Sequence, residues 1–291
     1  MEPRTLNIGP TQANERPFQV HRDARGPGAT PSSALAGSRP PTEEALLNSV
    51  DLLSEEVDLA LDSRLVFHTD PHCSASDRYR LLRMRFRELK AKWKLKTVLV
   101  TSPLPEDGKS TTVINLATAL AESGKTRVLV IEADFYHSCI VDLVGIKPTG
   151  GLAGMLERDL NQAAVIRRLE PLGWCLLPAG KTSGNPTELL HKEAFSELMQ
   201  RLVPHFDWIL IDSPPVIPLA DALLLRGRAN GTLLVARAGH TPRKAIEKSL
   251  SLLGREHVLG VVLNAAEDVN HLYSKYSKYY GKYPRSSSGD A

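Results

Sequence analysis

Cysteine is scarce in this chain of 291 residues. Cys73, Cys139 and Cys175 stand far apart and in no CxxC spacing. Their scatter excludes a disulfide framework and a thiolate metal site, and they read as three reduced thiols. Long apolar runs are missing too. No uncharged stretch approaches the ~20 residues that a membrane span needs, and the start, Met-Glu-Pro-Arg, lacks the basic-then-apolar order of a signal peptide. Nor is there a strong excess of one charge. Lys and Arg number 36 against 33 Asp and Glu, and a net charge of +3 does not by itself imply a nucleic-acid partner. Aromatic residues make up only 5%, yet five of the seven tyrosines crowd into the end of the chain.

What is present is unevenly distributed. Seven of the 20 prolines fall in residues 1–41 among Gly, Ser, Ala and Arg, a composition that predicts disorder. Residues 42–76 read as a helical extension and linker. In its acidic part, Thr42–Leu61, the residues Leu46, Val50, Leu53, Val57 and Leu61 recur at helical spacing. The segment Arg78–Lys96 is basic, with nine Lys or Arg and one acid, Glu88. Leu82, Phe86, Leu89 and Trp93 share one helical face there, while Arg80, Arg83 and Arg87 share another. Two readings stay open for it: a helix packed on the main domain with a solvated arginine face, or a subunit-contact helix. A folded domain over 77–269 and a flexible tail over 270–291 complete the expected organisation.

Within that domain, short apolar runs alternate with helical patterns. Strands are expected at Thr97–Thr101, Arg127–Glu132, Trp174–Leu177, Trp208–Asp212, Thr232–Ala236 and Leu259–Asn264. Helices are expected at Lys109–Glu122, Thr187–Leu202, Pro218–Leu225 and Pro242–Leu253. Apolar strands separated by helices predict an α/β fold, a doubly wound and mostly parallel sheet with helices on both faces. Its ligands belong at the carboxyl ends of the strands.

The first of these strands runs into Pro105-Glu106-Asp107-Gly108-Lys109-Ser110-Thr111 and then into a helix. Gly-Lys-Ser-Thr between strand and helix is the second half of a P-loop, and it resembles that of the P-loop NTPases, which implies their fold, MinD-like. Backbone N–H groups at the helix start bind phosphate, Lys109 reaches the β- and γ-phosphates, and Ser110 holds Mg²⁺. Pro103 stands where the general motif has its first glycine, and Glu106 and Asp107 bring two carboxylates to the loop. Two more apolar strands end in acids, Glu132 with Asp134 and then Asp212, the usual Walker B form. Together these residues point to an ATP–Mg²⁺ site.

On these motifs the chain resembles the bacterial tyrosine kinases, the cytoplasmic autokinases of capsule and exopolysaccharide export. The resemblance spans about Asp77–Asn264 plus the tail. It rests on Ser102–Thr112, on Glu132 and Asp134 as the second Walker motif, and on Ile209–Asp212 with Ser213-Pro214-Pro215. Asn185–Leu190, Asp221-Ala222, Arg237–Pro242 and Gly260–Asn264 add to it. It departs from the family at three places. Glu132 replaces an aspartate, Glu106 stands in a usual glycine place, and Tyr136 stands where an arginine is usual.

The resemblance implies transfer of the ATP γ-phosphoryl group to tyrosine, with Glu132 or Asp134 as the base. Glu132, Asp134, Asp212 and Ser110 are the implied metal-holding set, and Asn264 is the implied adenine contact. It makes Tyr273, Tyr276, Tyr279, Tyr280 and Tyr283 the acceptors, phosphorylated between subunits. Asp77, Arg80 and Arg83 resemble the family's Glu-x-x-Arg-x-x-Arg motif, which joins subunits into a ring. A separate transmembrane activator, a tyrosine phosphatase and a cytoplasmic location at the inner face of the membrane are also implied. Two other readings share the fold. One is a catalytically weak ATP-binding regulator. The other is a partitioning ATPase, whose second P-loop lysine is replaced here by Leu104; no DNA partner is expected.

Overall fold

The structure, a computed structural model, describes residues 54–266 apart from positions 58, 60–62, 148–149, 159–164, 183 and 192. The proline-rich start, most of the acidic segment and the tyrosine cluster lie outside the described residues. Eight strands form one sheet: β1 (Ser54–Glu56), β2 (Thr97–Thr101), β3 (Val128–Glu132), β4 (Arg167–Glu170), β5 (Trp174–Leu177), β6 (Trp208–Asp212), β7 (Gly231–Arg237) and β8 (Val258–Asn264). Their order is β1-β4-β5-β3-β6-β2-β7-β8, and every pairing except β4 with β5 is parallel.

The central strands are apolar throughout because both faces of the sheet are covered. Every residue of β2, β3, β5 and β6 is buried. Val98 and Val100 point to one side and join α3 (Lys109–Ala121) through Val113, Leu116 and Leu120. Leu99 points to the other and joins Leu156 of α5 (Leu152–Arg158) and Phe195 and Leu198 of α7 (Glu193–Leu202). This is the doubly wound, mostly parallel P-loop NTPase fold expected from the sequence.

The basic segment forms α2 (Ser74–Trp93), which packs on the domain. Phe86 meets Trp208 with ring centroids 5.7 Å apart, and Lys90 Nζ sits 4.9 Å from the Trp208 ring centroid. Its arginine face is not simply solvated. Arg80 Nη2 lies 2.7 Å from Glu122 Oε1, and Arg83 pairs with the other oxygen of Glu122, so both arginines tie α2 to the end of α3.

Several sequence expectations need correction. The acidic helix expected over 42–61 does not extend through residues 54–56, which pair as a strand with β4. Residues 65–69 belong to the domain body as well: Leu65 is fully buried, and α1 (Val66–Thr69) follows it. The single helix expected at Thr187–Leu202 is two, α6 (Pro186–His191) and α7. The helix expected from Pro218 starts at Asp221 as α8 (Asp221–Arg226). Two short helices after β3, α4 (Ile140–Val144) and α5, and the strands β1 and β4 were not expected. A last helix, α9 (Arg243–Leu253), precedes β8.

Candidate nucleotide and metal site

The strand order brings the three expected motifs together, because β2 and β3 flank β6. In register, Asp212 lies opposite Val100 on one side and Glu132 on the other. The loop after β2 is tied to the segment after β6: Thr101 Oγ1 donates to Pro214 O (2.8 Å) and Val216 N to Ser102 O (2.8 Å). A cavity of about 710 Å³ opens over these strand ends. Pro105, Glu106, Gly108, Lys109, Ser110, Thr111 and Asp134 line it from the motifs, together with Tyr136, His137, Cys139, Arg64 and Arg237.

Gly108 begins α3 with φ +92°, a left-handed conformation suited to glycine. A Cβ there would lie 1.9 Å from Asn264 Nδ2, so the Asn264 amide would have to move. Glu106 adopts φ +64° without being glycine, which fits its standing in a usual glycine place.

Four polar groups form a chain at the base of the cavity. Lys109 Nζ lies 2.8 Å from Asp134 Oδ2 and 3.4 Å from Ser110 Oγ, which donates to Asp212 Oδ2 at 2.6 Å. Asp212 is fully buried, and burial pushes its carboxyl up to about 7; Lys109 and the Ser110 bond pull it down, whereas Glu132 and Asp134 push it further up. Burial works against the Lys109 charge, but Asp212 and Asp134 outweigh it and leave its pKa above the ordinary value. Asp212 Oδ1 is buried and takes no hydrogen bond among the described residues. A buried orphan oxygen beside a serine hydroxyl fits a divalent cation as the missing partner. Ser110 and Asp212 therefore fit Mg²⁺.

Other expected residues are placed differently. Glu132 does not line the cavity. Its Oε1 accepts from the N–H groups of Cys139 (2.8 Å) and Ile140 (2.7 Å), and its Oε2 from Ser138 Oγ (2.8 Å) and Ala179 N (3.1 Å). Both oxygens fasten α4 and the loop after β5. Asp134 stays in the cavity, with Oδ1 accepting from Tyr136 N and His137 N. The Asp107 side chain turns away from the cavity, accepting from Leu104 N (3.0 Å) and Thr241 Oγ1 (2.5 Å). Its charge is thereby kept from the phosphate position. Asn264 donates to Asp107 O (3.1 Å) and lines an adjoining groove of about 500 Å³ that it shares with Thr111. Sequence reasoning missed Thr241 as the partner of Asp107. It also missed Arg64 and Cys139 at the cavity, and only the helix start after Thr241 offered a local signal.

The family model described as cellulose biosynthesis protein BcsQ matches residues 106–258. The tyrosine-protein kinase YwqD of Bacillus subtilis (strain 168) is 29% identical over 76% of this chain and 92% of its own length. The tyrosine-protein kinase CpsD of Streptococcus agalactiae is 31% identical over 63% of this chain and 81% of its own. The chain belongs to the family of that model and, by these relatives, to the bacterial tyrosine-protein kinases. Among solved structures, the kinase domain of the Escherichia coli tyrosine kinase ETK is similar, with TM-score 0.65 and 26% identity over 69% of this chain and 79% of that one. This bacterial tyrosine-kinase chain spans about a quarter of the longer curated relatives it matches. No helix among its described residues is long and apolar enough to cross a membrane.

Proposed function

We propose that the chain transfers the γ-phosphoryl group of ATP to tyrosines 273, 276, 279, 280 and 283 of a neighbouring copy, in the control of capsular or exopolysaccharide synthesis and export. The observation that supports this most is the run Asp134–Lys109–Ser110–Asp212 facing one cavity at the phosphate loop. In this reading Lys109 and the loop amides hold the β- and γ-phosphates, and Ser110 and Asp212 hold Mg²⁺. The metal, when bound, offsets the charge that spreads over the transferred group. A phenol's pKa is about 10, so a carboxylate must take its proton as the oxygen attacks phosphorus and ADP leaves. With both Glu132 oxygens hydrogen-bonded within the chain, Asp134 is the proposed base.

The kinase unit is proposed to run over 77–269, and copies to associate through Asp77, Arg80 and Arg83. A transmembrane partner would activate the kinase at the inner membrane face, and a tyrosine phosphatase would reset it. Asn264, beside the loop, is proposed to meet the adenine. A second reading, an ATP-binding regulator with little transfer activity, is favoured by one observation: Glu132, standing where the family has aspartate, has both oxygens hydrogen-bonded within the chain.

Incubating the purified chain with Mg-ATP and probing for phosphotyrosine tests the proposal. Lys109→Met should abolish the signal, and changing the five tail tyrosines to Phe should remove most of it while ATP binding persists. Undiminished labelling in Lys109→Met rejects the site. ATP binding without labelling of the unaltered chain selects the regulator.

A further inference from the structure

The cavity is also lined by a cation that lies ahead of the motifs at Asp77–Asn264. Arg64 lines it beside Lys109, Ser110 and Thr111. Its place is fixed from both sides. Leu65 is fully buried in the core, and Asn115, also fully buried, grips the backbone around it. Asn115 Oδ1 accepts from Val66 N (2.8 Å), while its Nδ2 donates to Arg64 O (2.9 Å) and to Thr111 O (2.8 Å). One side chain of α3 thus aligns Arg64 with the first turn of the helix that carries the phosphate loop.

Charge balance gives Arg64 a task. A nucleoside triphosphate brings three to four negative charges to a cavity already lined by Glu106 and Asp134 and floored by Asp212. Lys109 shares its charge with Asp134 at 2.8 Å, and Arg237 leans on Glu106 O at 3.5 Å. No carboxylate among the described residues pairs with the Arg64 guanidinium, although its carbonyl is held by Asn115. A planar fork of N–H donors carried from a held backbone carbonyl, at the wall of an anion cavity, suits phosphate oxygens.

We infer that Arg64 is a phosphate ligand of the nucleotide, delivered by the segment before α1, so that the functional site begins ahead of Asp77. The inference rests on the cavity being a nucleotide site. Titration calorimetry of the full chain with Mg-ATP, alongside melting of the nucleotide-free protein, tests it. Arg64→Gln should weaken ATP binding about 10-fold or more with no change in melting temperature, and Arg64→Lys should recover part of the loss. Unchanged affinity in Arg64→Gln, with Lys109→Met still abolishing binding, overturns this inference alone. A fall in melting temperature that parallels the lost affinity also overturns it, since Arg64 would then be structural. Absence of ATP binding in the unaltered chain overturns the nucleotide reading itself.

Discussion

Glu132 and Asp212 end neighbouring strands at the same register, and both are fully buried. Their surroundings nevertheless make them opposites. Glu132 receives four hydrogen bonds, three of them from backbone N–H groups, whereas Asp212 receives one from Ser110 and keeps an orphan oxygen. The difference teaches that burial at a sheet's ligand edge does not make a carboxylate functional. Of the two, only Asp212 keeps unmet hydrogen-bonding capacity, and a buried oxygen without a donor is costly unless a ligand supplies the missing partner.

The sharpest break of that comparison is exchange of each acid for its amide. Asp212→Asn should lower phosphotyrosine formation by at least about 10²-fold through lost metal holding. It should at the same time raise the melting temperature at pH 8 without Mg²⁺ or nucleotide, since a buried charge that Lys109 and Ser110 offset only in part is gone. A lower melting temperature would show that Asp212 is structural like Glu132. Glu132→Gln should do the reverse, costing about 2–3 kcal/mol of stability in denaturant titration because an amide NH₂ then faces N–H donors. Full stability in that variant would dissolve the contrast.

The pH profile separates the two more finely. The Asp212 carboxyl is raised to about 7 from an ordinary 3.8, so the folded chain holds a proton that the unfolded chain has released. Without Mg²⁺, this favours folding fully below pH about 4, and the benefit is lost as pH rises through 7, at up to about 1.4 kcal/mol per unit. Chemical denaturation from pH 5 to 8 should show that decline, and Asp212→Asn should flatten it. An equal slope in both proteins removes Asp212 as its source. The smallest effect concerns Asp107, a third carboxylate, held by Leu104 N and Thr241. Thr241→Val should cost about 1 kcal/mol and weaken ATP binding only slightly; a large loss of affinity would place Thr241 in the site.

The parts legible in the sequence were those written in local pattern. Thr97–Thr101, Trp174–Leu177 and Trp208–Asp212 are short apolar runs because the sheet is covered on both faces, and their limits match the strands residue for residue. β4, Arg-Arg-Leu-Glu, was hidden because only Leu169 is buried in it, and Ser54-Glu55-Glu56 of β1 has no apolar residue at all. At the site, Lys109, Ser110, Asp134 and Asp212 could be brought together from motif and strand order. The fate of Glu132 could not, since three of its four donors are backbone groups, seven and eight residues on and at Ala179, and backbone donors leave no mark in residue type. Arg64 was hidden for a related reason: the side chain that positions it, Asn115, stands 51 residues away.

The Asn264 bond to the phosphate loop has one more consequence. It anchors the end of β8 at the nucleotide site, and Ala266, two residues on, accepts from Arg78 Nη1 at 3.5 Å. Tyr273 follows seven residues later, so a fully stretched tether keeps its Cα within ~25 Å of Ala266. On the proposed reading, in which Tyr273 is an acceptor, that bound gives it a high effective concentration near the phosphate loop of its own chain. On the same reading, self-labelling and trans-labelling of Tyr273 are rival events, separated by how its labelling rate responds to dilution.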